Sequence, residues 1–257
     1  MTQRFPESLH MRRRILRFLP LLTLLAGPAH ADPSALWNIV NGKCVPHQQA
    51  DHNPAPCVLV NLTAGYIVLK DLVGATQFLT IPTVRTAGIE APSLLAPGAP
   101  NYWDDAWRAR HLTEEKAGKP LPREALSLAV NSSYGRSQDQ LHIHIDCVRA
   151  DVRDALAAHR DSLAPAWAPF PVPLAGTTWR AMRVDGADLG AANPFRLLAD
   201  GDKDAAAAMG NHTLVVVGMT FANGQPGFAV LDDRVDLTKG DLASGEVLQD
   251  HDCAIAR

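Results

Sequence analysis

The stretch that most restricts how this chain can fold is NSSYGRSQDQLHIHIDC, residues 131–147. Its second half alternates, so a strand there sends Leu141, Ile143 and Ile145 to one side and His142, His144 and Asp146 to the other. Side chains two apart on a strand stand about 7 Å from each other on one face, which brings two imidazoles together. The first half is a polar loop in which Gly135 can take backbone angles closed to other residues. Its N–H groups, the Ser137 hydroxyl and the Arg136 guanidinium can turn toward one phosphate. A strand with a merely wet face would show the same alternation. Two histidines at alternate positions behind a donor-rich loop favour a site.

The start of the chain says where this strand works. Arg12, Arg13 and Arg14 precede an apolar run over 15–26 that Pro20 interrupts, and a small-residue stretch ends at Ala31. That order is the one found in secretory signals, with cleavage after Ala31, and the run is shorter than the roughly 20 residues of a bilayer crossing. A retained anchor, lengthened through Gly27 to Ala31, is the alternative. Residues 1–31 are therefore expected to be a signal peptide or N-terminal membrane anchor, and 32–257 one exported domain. The arginine cluster predicts that everything after it crosses to the outer side.

Cys44, Cys57, Cys147 and Cys253 all lie beyond the signal, and four cysteines in an exported chain suggest two disulfides. Three pairings are open. The favoured one joins Cys44 to Cys57 across the intervening polar stretch, and Cys147 to Cys253, tying the C-terminus to the end of the central strand. Removing residues 1–31 takes away five of the 24 basic and one of the 27 acidic side chains, leaving 19 against 26 and a formal charge of −7. A polyanion binder carries the opposite excess, so nucleic acid is not an expected partner. A substrate phosphate has to be met locally.

Along the chain, a short amphipathic helix is expected over 32–41 and a polar loop over 44–57. Strands are expected over 58–60, 65–71 and 77–82, where β-branched and aromatic runs are separated by turn residues. One helix is expected over 101–117, stopped by Gly118 and Pro120, with Trp103 and Trp107 on a core face. Leu126, Leu128 and Val130 alternate into the central motif, and a second helix capped by Asp151 covers 151–163. After a proline-rich linker, strands are expected over 178–184, 212–221 and 228–231, with a small helix around 203–209. This second half reads as scaffold and substrate wall. No glycine pattern supports a dinucleotide fold or a P-loop.

Three chemistries compete for His142 and His144. They could ligate a metal, with Asp146 or a distant histidine completing the set, although no third and fourth ligand is obvious. They could act as an acid/base pair, which needs a separate nucleophile. As a nucleophile with an orienting partner they are self-sufficient: one ring nitrogen attacks phosphorus, a hydrogen bond fixes the tautomer, and nearby donors neutralise the phosphoryl oxygens.

The segment 138–146, preceded by Asn131, resembles the histidine-triad nucleotide hydrolases and transferases, and 77–82 resembles their strand that usually begins with histidine. The resemblance implies an α+β fold: a histidine-triad-like antiparallel sheet with packed helices over about 58–163, and a C-terminal α/β extension over about 174–257. It implies His144 as nucleophile, His142 as the preceding histidine, Asn131, Ser137 and Gln138 on the phosphate side with Arg136 beside them, and Asp71 on ribose. Gln77 and Asp146 stand where that family usually has histidines, and are expected in the site wall.

A closer similarity covers nearly the whole exported region. AGYIVLKDL at 64–72, AVNS at 129–132 with GRSQ at 135–138, HIHI at 142–145 followed by CVRADVR, Cys44, Cys57, and QDHDC at 249–253 are similar to the bacterial CDP-diacylglycerol pyrophosphatases. This similarity implies hydrolysis of CDP-diacylglycerol to CMP and phosphatidate, on the periplasmic side of the inner membrane. It implies no cofactor or tightly bound metal, and no partner beyond substrate and membrane lipid. A periplasmic nucleotide or dinucleotide hydrolase and a non-catalytic exported nucleotide-binding protein are the alternatives.

Overall fold

The structure is a computed structural model that describes residues 1–3 and 32–256. Of the signal or anchor expected over 1–31, residues 4–31 lie outside the described residues. Among the described residues no helix is long and apolar enough to cross a membrane.

The exported region opens with α1 (Ala35–Ile39), a π-helical turn (Val40–Cys44) and α2 (Val45–Asp51), which ends at His52 in the left-handed region. Much of the 44–57 stretch, expected as a polar loop, is therefore helix. Pro46 stands just past the π-helical turn within one continuous helical run, and Val40 and Cys44 hold the segment on the sheet. Three strands follow, β1 (Leu59–Asn61), β2 (Tyr66–Lys70) and β3 (Phe78–Pro82), within two residues of the expected bounds. The helix expected over 101–117 is two, α3 (Tyr102–Ala109) and α4 (His111–Ala117). They part at Arg110, whose backbone N–H and guanidinium both donate to Trp107 O, the carbonyl that a continuous helix gives to residue 111.

Then come β4 (Leu126–Val130), β5 (Ile143–Val148) and α5 (Ala150–Ala158). Arg149 is the cap residue of α5, and Asp151 lies in its first turn rather than at the cap. The rest comprises β6 (Ala168–Pro169), β7 (Arg180–Asp185), α6 (Pro194–Gly201), α7 (Lys203–Ala207), β8 (His212–Thr220), β9 (Pro226–Arg234) and β10 (Gln249–Asp250). Helix α6, absent from the sequence reading, is capped by Asn193 accepting from Phe195 N.

All these strands form one antiparallel sheet in the order β1-β2-β3-β5-β4-β8-β9-β7-β6, with β10 also on β5. Because β4 bonds directly to β8, Leu128 opposite Val216, the C-terminal part continues the sheet instead of adding a separate α/β layer. On one face Leu128, Val130, Ile143 and Ile145 pack against Trp103, Trp107, Phe195 and Phe228. Both tryptophans are core residues, each contributing about 1.5–3 kcal/mol by burial of this kind.

The other face has two separate covers. Val40 and Cys44 lie over Ile67, Leu69, Leu79 and Ile81, while Val152, Leu156 and Leu248 lie over Ala129, Val215 and Val217. Strand β5 runs between the two clusters and carries His144 and Asp146 toward this face, where apolar contact gives way to hydrogen bonding. Disulfides Cys44–Cys57 and Cys147–Cys253 follow the favoured pairing, and no described cysteine is free.

Candidate active site

His144 sits between Leu79 of β3 and Ala129 of β4. Continuing the same registers sets Asn131 beside His142 and Gln77 beside Asp146, all on one face. Strand β3 stops pairing with β5 at Phe78, and β10 takes over the same edge with Asp250 opposite Cys147. The next residue, His251, thereby comes beside Asp146, and its carbonyl accepts from Ala75 N at 2.9 Å. The site forms at this seam, where one strand replaces another.

Burial dominates its electrostatics. His142 and His144 are 8% and 4% exposed, with ring centroids 4.8 Å apart at 66°. His142 Nδ1 donates to Gln140 O at 2.7 Å, which leaves a lone pair on Nε2. His144 Nδ1 lies 2.6 Å from Gln77 Nε2 and 3.3 Å from Glu246 Oε2. His144 Nε2 is buried and has no partner. The Gln77 NH2 group also meets Asp71 Oδ2 at 2.9 Å and Glu246 Oε2 at 3.4 Å, and two carboxylates can face only the donor end of an amide. Burial, then His142 and His251, hold the His144 imidazolium pKa well below 6.5, and burial lowers that of His142. Both rings are neutral at pH 7, the state in which an imidazole is a nucleophile.

Asp146 is fully buried and accepts from Thr76 Oγ1 at 2.6 Å, Cys147 N at 2.8 Å and His251 Nδ1 at 2.8 Å. The hydrogen bond to Asp146 raises the His251 pKa above 6.5, outweighing its partial burial. The carboxylate that would repel a phosphate is thus turned to a histidine from the other end of the chain.

The expected phosphate loop is arranged differently. Arg136 makes two 2.7 Å bonds to Glu90 and two, of 3.2 and 3.3 Å, to Asp139, Gln138 bonds Leu36 N and Asp32 O at the start of α1, and Ser137 is exposed. Arg136 and Gln138 thus serve partners that local alternation cannot reveal, and Arg136 also borders a small cavity with Asn131 and His142. Asn131 does reach the site: its Oδ1 accepts from Gly245 N at 2.9 Å, and its Nδ2 donates to Glu246 Oε1 at 2.6 Å. Asp71 closes the β2–β3 turn by accepting from Val73 N and Gln77 Nε2.

Glu246, His251 and Thr76 are site residues that the sequence reading did not assign. The Cys147–Cys253 pairing was the available signal, since it brings the residues just before Cys253 to the end of β5. Gly245 explains how Glu246 gets there. A Cβ at 245 would lie 2.8 Å from Val215 Cγ2 and 2.9 Å from Thr213 Oγ1, so the chain rests flat on the sheet beside the histidines. A cleft of about 640 Å³ borders the same segment and is lined by Asp233, Asp236 and Asp241 together with Arg234 and Lys239, but by neither histidine of the central strand. Among the described residues no group of three or more His, Cys, Asp or Glu is placed to hold a metal ion.

A neutral buried imidazole with one unpartnered nitrogen, an amide and a carboxylate at the other, and a second histidine against its ring is suited to phosphoryl chemistry. The chain belongs to the CDP-diacylglycerol pyrophosphatase family, whose model matches residues 31–257. It is similar to the CDP-diacylglycerol pyrophosphatase of Yersinia pestis, with 41% identity over 253 residues that cover 97% of this chain and 96% of that protein.

Proposed function

We propose that this chain hydrolyses CDP-diacylglycerol to CMP and phosphatidate, with His144 as nucleophile. The observation that carries the reading is His144 Nε2, a buried ring nitrogen without a partner on an imidazole held neutral. Its lone pair attacks the cytidine-side phosphorus, and phosphatidate leaves. Water then attacks the same phosphorus and releases CMP, so two easier displacements replace one difficult step. Attack through Nε2 requires the proton on Nδ1, so the Gln77 NH2 group that donates to Nδ1 at 2.6 Å has to turn away and leave Glu246 Oε2, at 3.3 Å, as the acceptor. His142, stacked edge-on against the ring, orients it, and Asp71 at the end of β2 is the ribose-side residue.

The alternating histidine strand and the seam around it support a histidine-triad-like core within this reading. Export to the periplasmic side of the inner membrane is supported by the arginine-rich start, the two disulfides and the lipid nature of the substrate. Leu72 is fully exposed and Val73 is 60% exposed on the turn beside Asp71, a fitting contact for the bilayer that retains the acyl chains.

The test is rapid quenching with substrate labelled at the cytidine phosphate. Label is expected transiently on His144, and a folded His144→Ala protein is expected to form no intermediate and no CMP. Full turnover by that variant, or label captured on another residue, would reject the nucleophile. Retention of CDP-diacylglycerol without its consumption would reject the enzyme reading altogether.

A further inference from the structure

Beyond the nucleophile, the seam sets which of its ring nitrogens carries the proton. We infer that Gln77 is a positioning residue that keeps His144 in its unreactive tautomer until a sugar hydroxyl of the nucleotide engages Asp71. The inference rests on His144 as nucleophile and Asp71 as the ribose-side residue, and it adds the coupling between them.

Three observations carry it. Gln77 Nε2 lies 2.6 Å from His144 Nδ1, 2.9 Å from Asp71 Oδ2 and 3.4 Å from Glu246 Oε2. An NH2 group beside two carboxylates donates, so Nδ1 is the acceptor and the single proton of the neutral ring sits on Nε2. Turning the amide over would set Gln77 Oε1 against both carboxylates, which therefore hold its direction. Second, this arrangement leaves His144 Nε2 and Gln77 Oε1 buried without partners. Such orphans destabilise the state that contains them, and the site rearranges readily once a ligand offers other bonds. Third, one carboxylate joins the amide to the outside. Asp71 Oδ1 accepts from Val73 N in the exposed part of the β2–β3 turn, while Asp71 N donates to Gln77 O at 3.2 Å. Gln77 itself is fully buried, so Asp71 is the end of this pair that a ligand reaches first.

A sugar hydroxyl donating to Asp71 Oδ2 takes the place of the amide there. The NH2 group then leaves Nδ1, and Glu246 Oε2 at 3.3 Å becomes the partner of that nitrogen. One proton passes from Nε2 to water and one from water to Nδ1, so the ring stays neutral and no net charge moves. The Nε2 lone pair therefore exists only when the nucleotide is in place. An enzyme built this way discriminates against ligands without sugar hydroxyls in the chemical step, and not in binding alone.

The experiment is nitrogen NMR of the full disulfide-bonded protein labelled in its histidines, free, with CMP, and with CMP lacking both ribose hydroxyls. The His144 signals are those missing from His144→Ala. In the free protein Nδ1 is expected to be bare and Nε2 protonated; CMP is expected to exchange the two, and saturating dideoxy-CMP to leave them unchanged. Gln77→Leu removes the amide at similar shape, and its His144 is expected to hold the Nδ1 proton without nucleotide. For wild type, CDP-diacylglycerol without ribose hydroxyls is expected to lose about tenfold in kcat, the change one hydrogen bond makes; for Gln77→Leu the loss is expected in KM alone. An Nδ1 proton already present in the free wild-type protein would overturn the inference, and so would CMP and dideoxy-CMP acting alike on the ring. Both readouts need no variant at position 77. Absence of label on His144 under rapid quenching would instead overturn the nucleophile, and equal affinity for the two nucleotides would overturn Asp71 as the ribose-side residue.

Discussion

Replacing Asp146 by asparagine separates charge from shape at the centre of the seam. The carboxylate accepts from Thr76 Oγ1, Cys147 N and His251 Nδ1 and is fully buried. An asparagine of the same size keeps its oxygen for Thr76 and Cys147 but turns an NH2 group toward His251, which can no longer donate there. What is lost below neutrality is a hydrogen bond between two charged groups, about 1.5–3 kcal/mol; above it, a bond from a neutral ring, about 0.5–1.5 kcal/mol. The direction with pH follows from linkage. The folded-state pKa of His251 is raised above 6.5, so the charge-dependent stabilisation is fully present below about pH 6.5 and is lost as pH rises through the raised value. His142 and His144 have lowered pKa values, and their contribution weakens as pH falls below about 6.5. That effect is common to both proteins and cancels in the difference. Urea unfolding of the oxidised protein and of Asp146→Asn at pH 6 and pH 9 is the assay, with equal slopes required for the comparison. The substitution is expected to cost more at pH 6 than at pH 9 by about 1 kcal/mol. A cost that is equal at both values, or larger at pH 9, would refute the ion pair.

Cys253→Ser opens a bridge whose partners lie 106 residues apart and frees the segment that brings Glu246 to His144; a loss of about 2–5 kcal/mol on unfolding is expected, with turnover reduced further than residual folding explains. Stability lost with turnover per folded molecule unchanged would mean that the bridge does not position Glu246. Leu72→Asp with Val73→Asp is expected to lower turnover of CDP-diacylglycerol in vesicles about tenfold or more, since burying one such side chain in lipid amounts to about 1.5–3 kcal/mol, and to spare a short-chain soluble analogue. Equal losses on both substrates would place the turn in the site rather than at the lipid.

The strands around the site were legible because their pattern is local. Alternation in 141–147 was sufficient to put His142, His144 and Asp146 on one face, and the strands at 58–60, 65–71 and 77–82 announced themselves through β-branched runs between turn residues. The α2 helix was not legible, because it buries no residue of its own and is held in place by the preceding turn, whose Val40 and Cys44 pack on the sheet. What the 135–138 loop bonds was not legible either: Glu90 and α1 hold Arg136 and Gln138, while Arg136 also borders a small cavity with Asn131 and His142.

By itself the sequence determined the histidine strand, the face it uses and the presence of four cysteines beyond the signal, since each is a matter of periodicity or of counting; family resemblance singled out His144. Tertiary structure alone decided what surrounds that nucleophile. Glu246 and His251 lie more than 100 residues from His144 in sequence, and they arrive because β10 replaces β3 along one edge of β5. Strand pairing between distant segments is fixed by register and burial over the whole sheet, a sum that no local window contains.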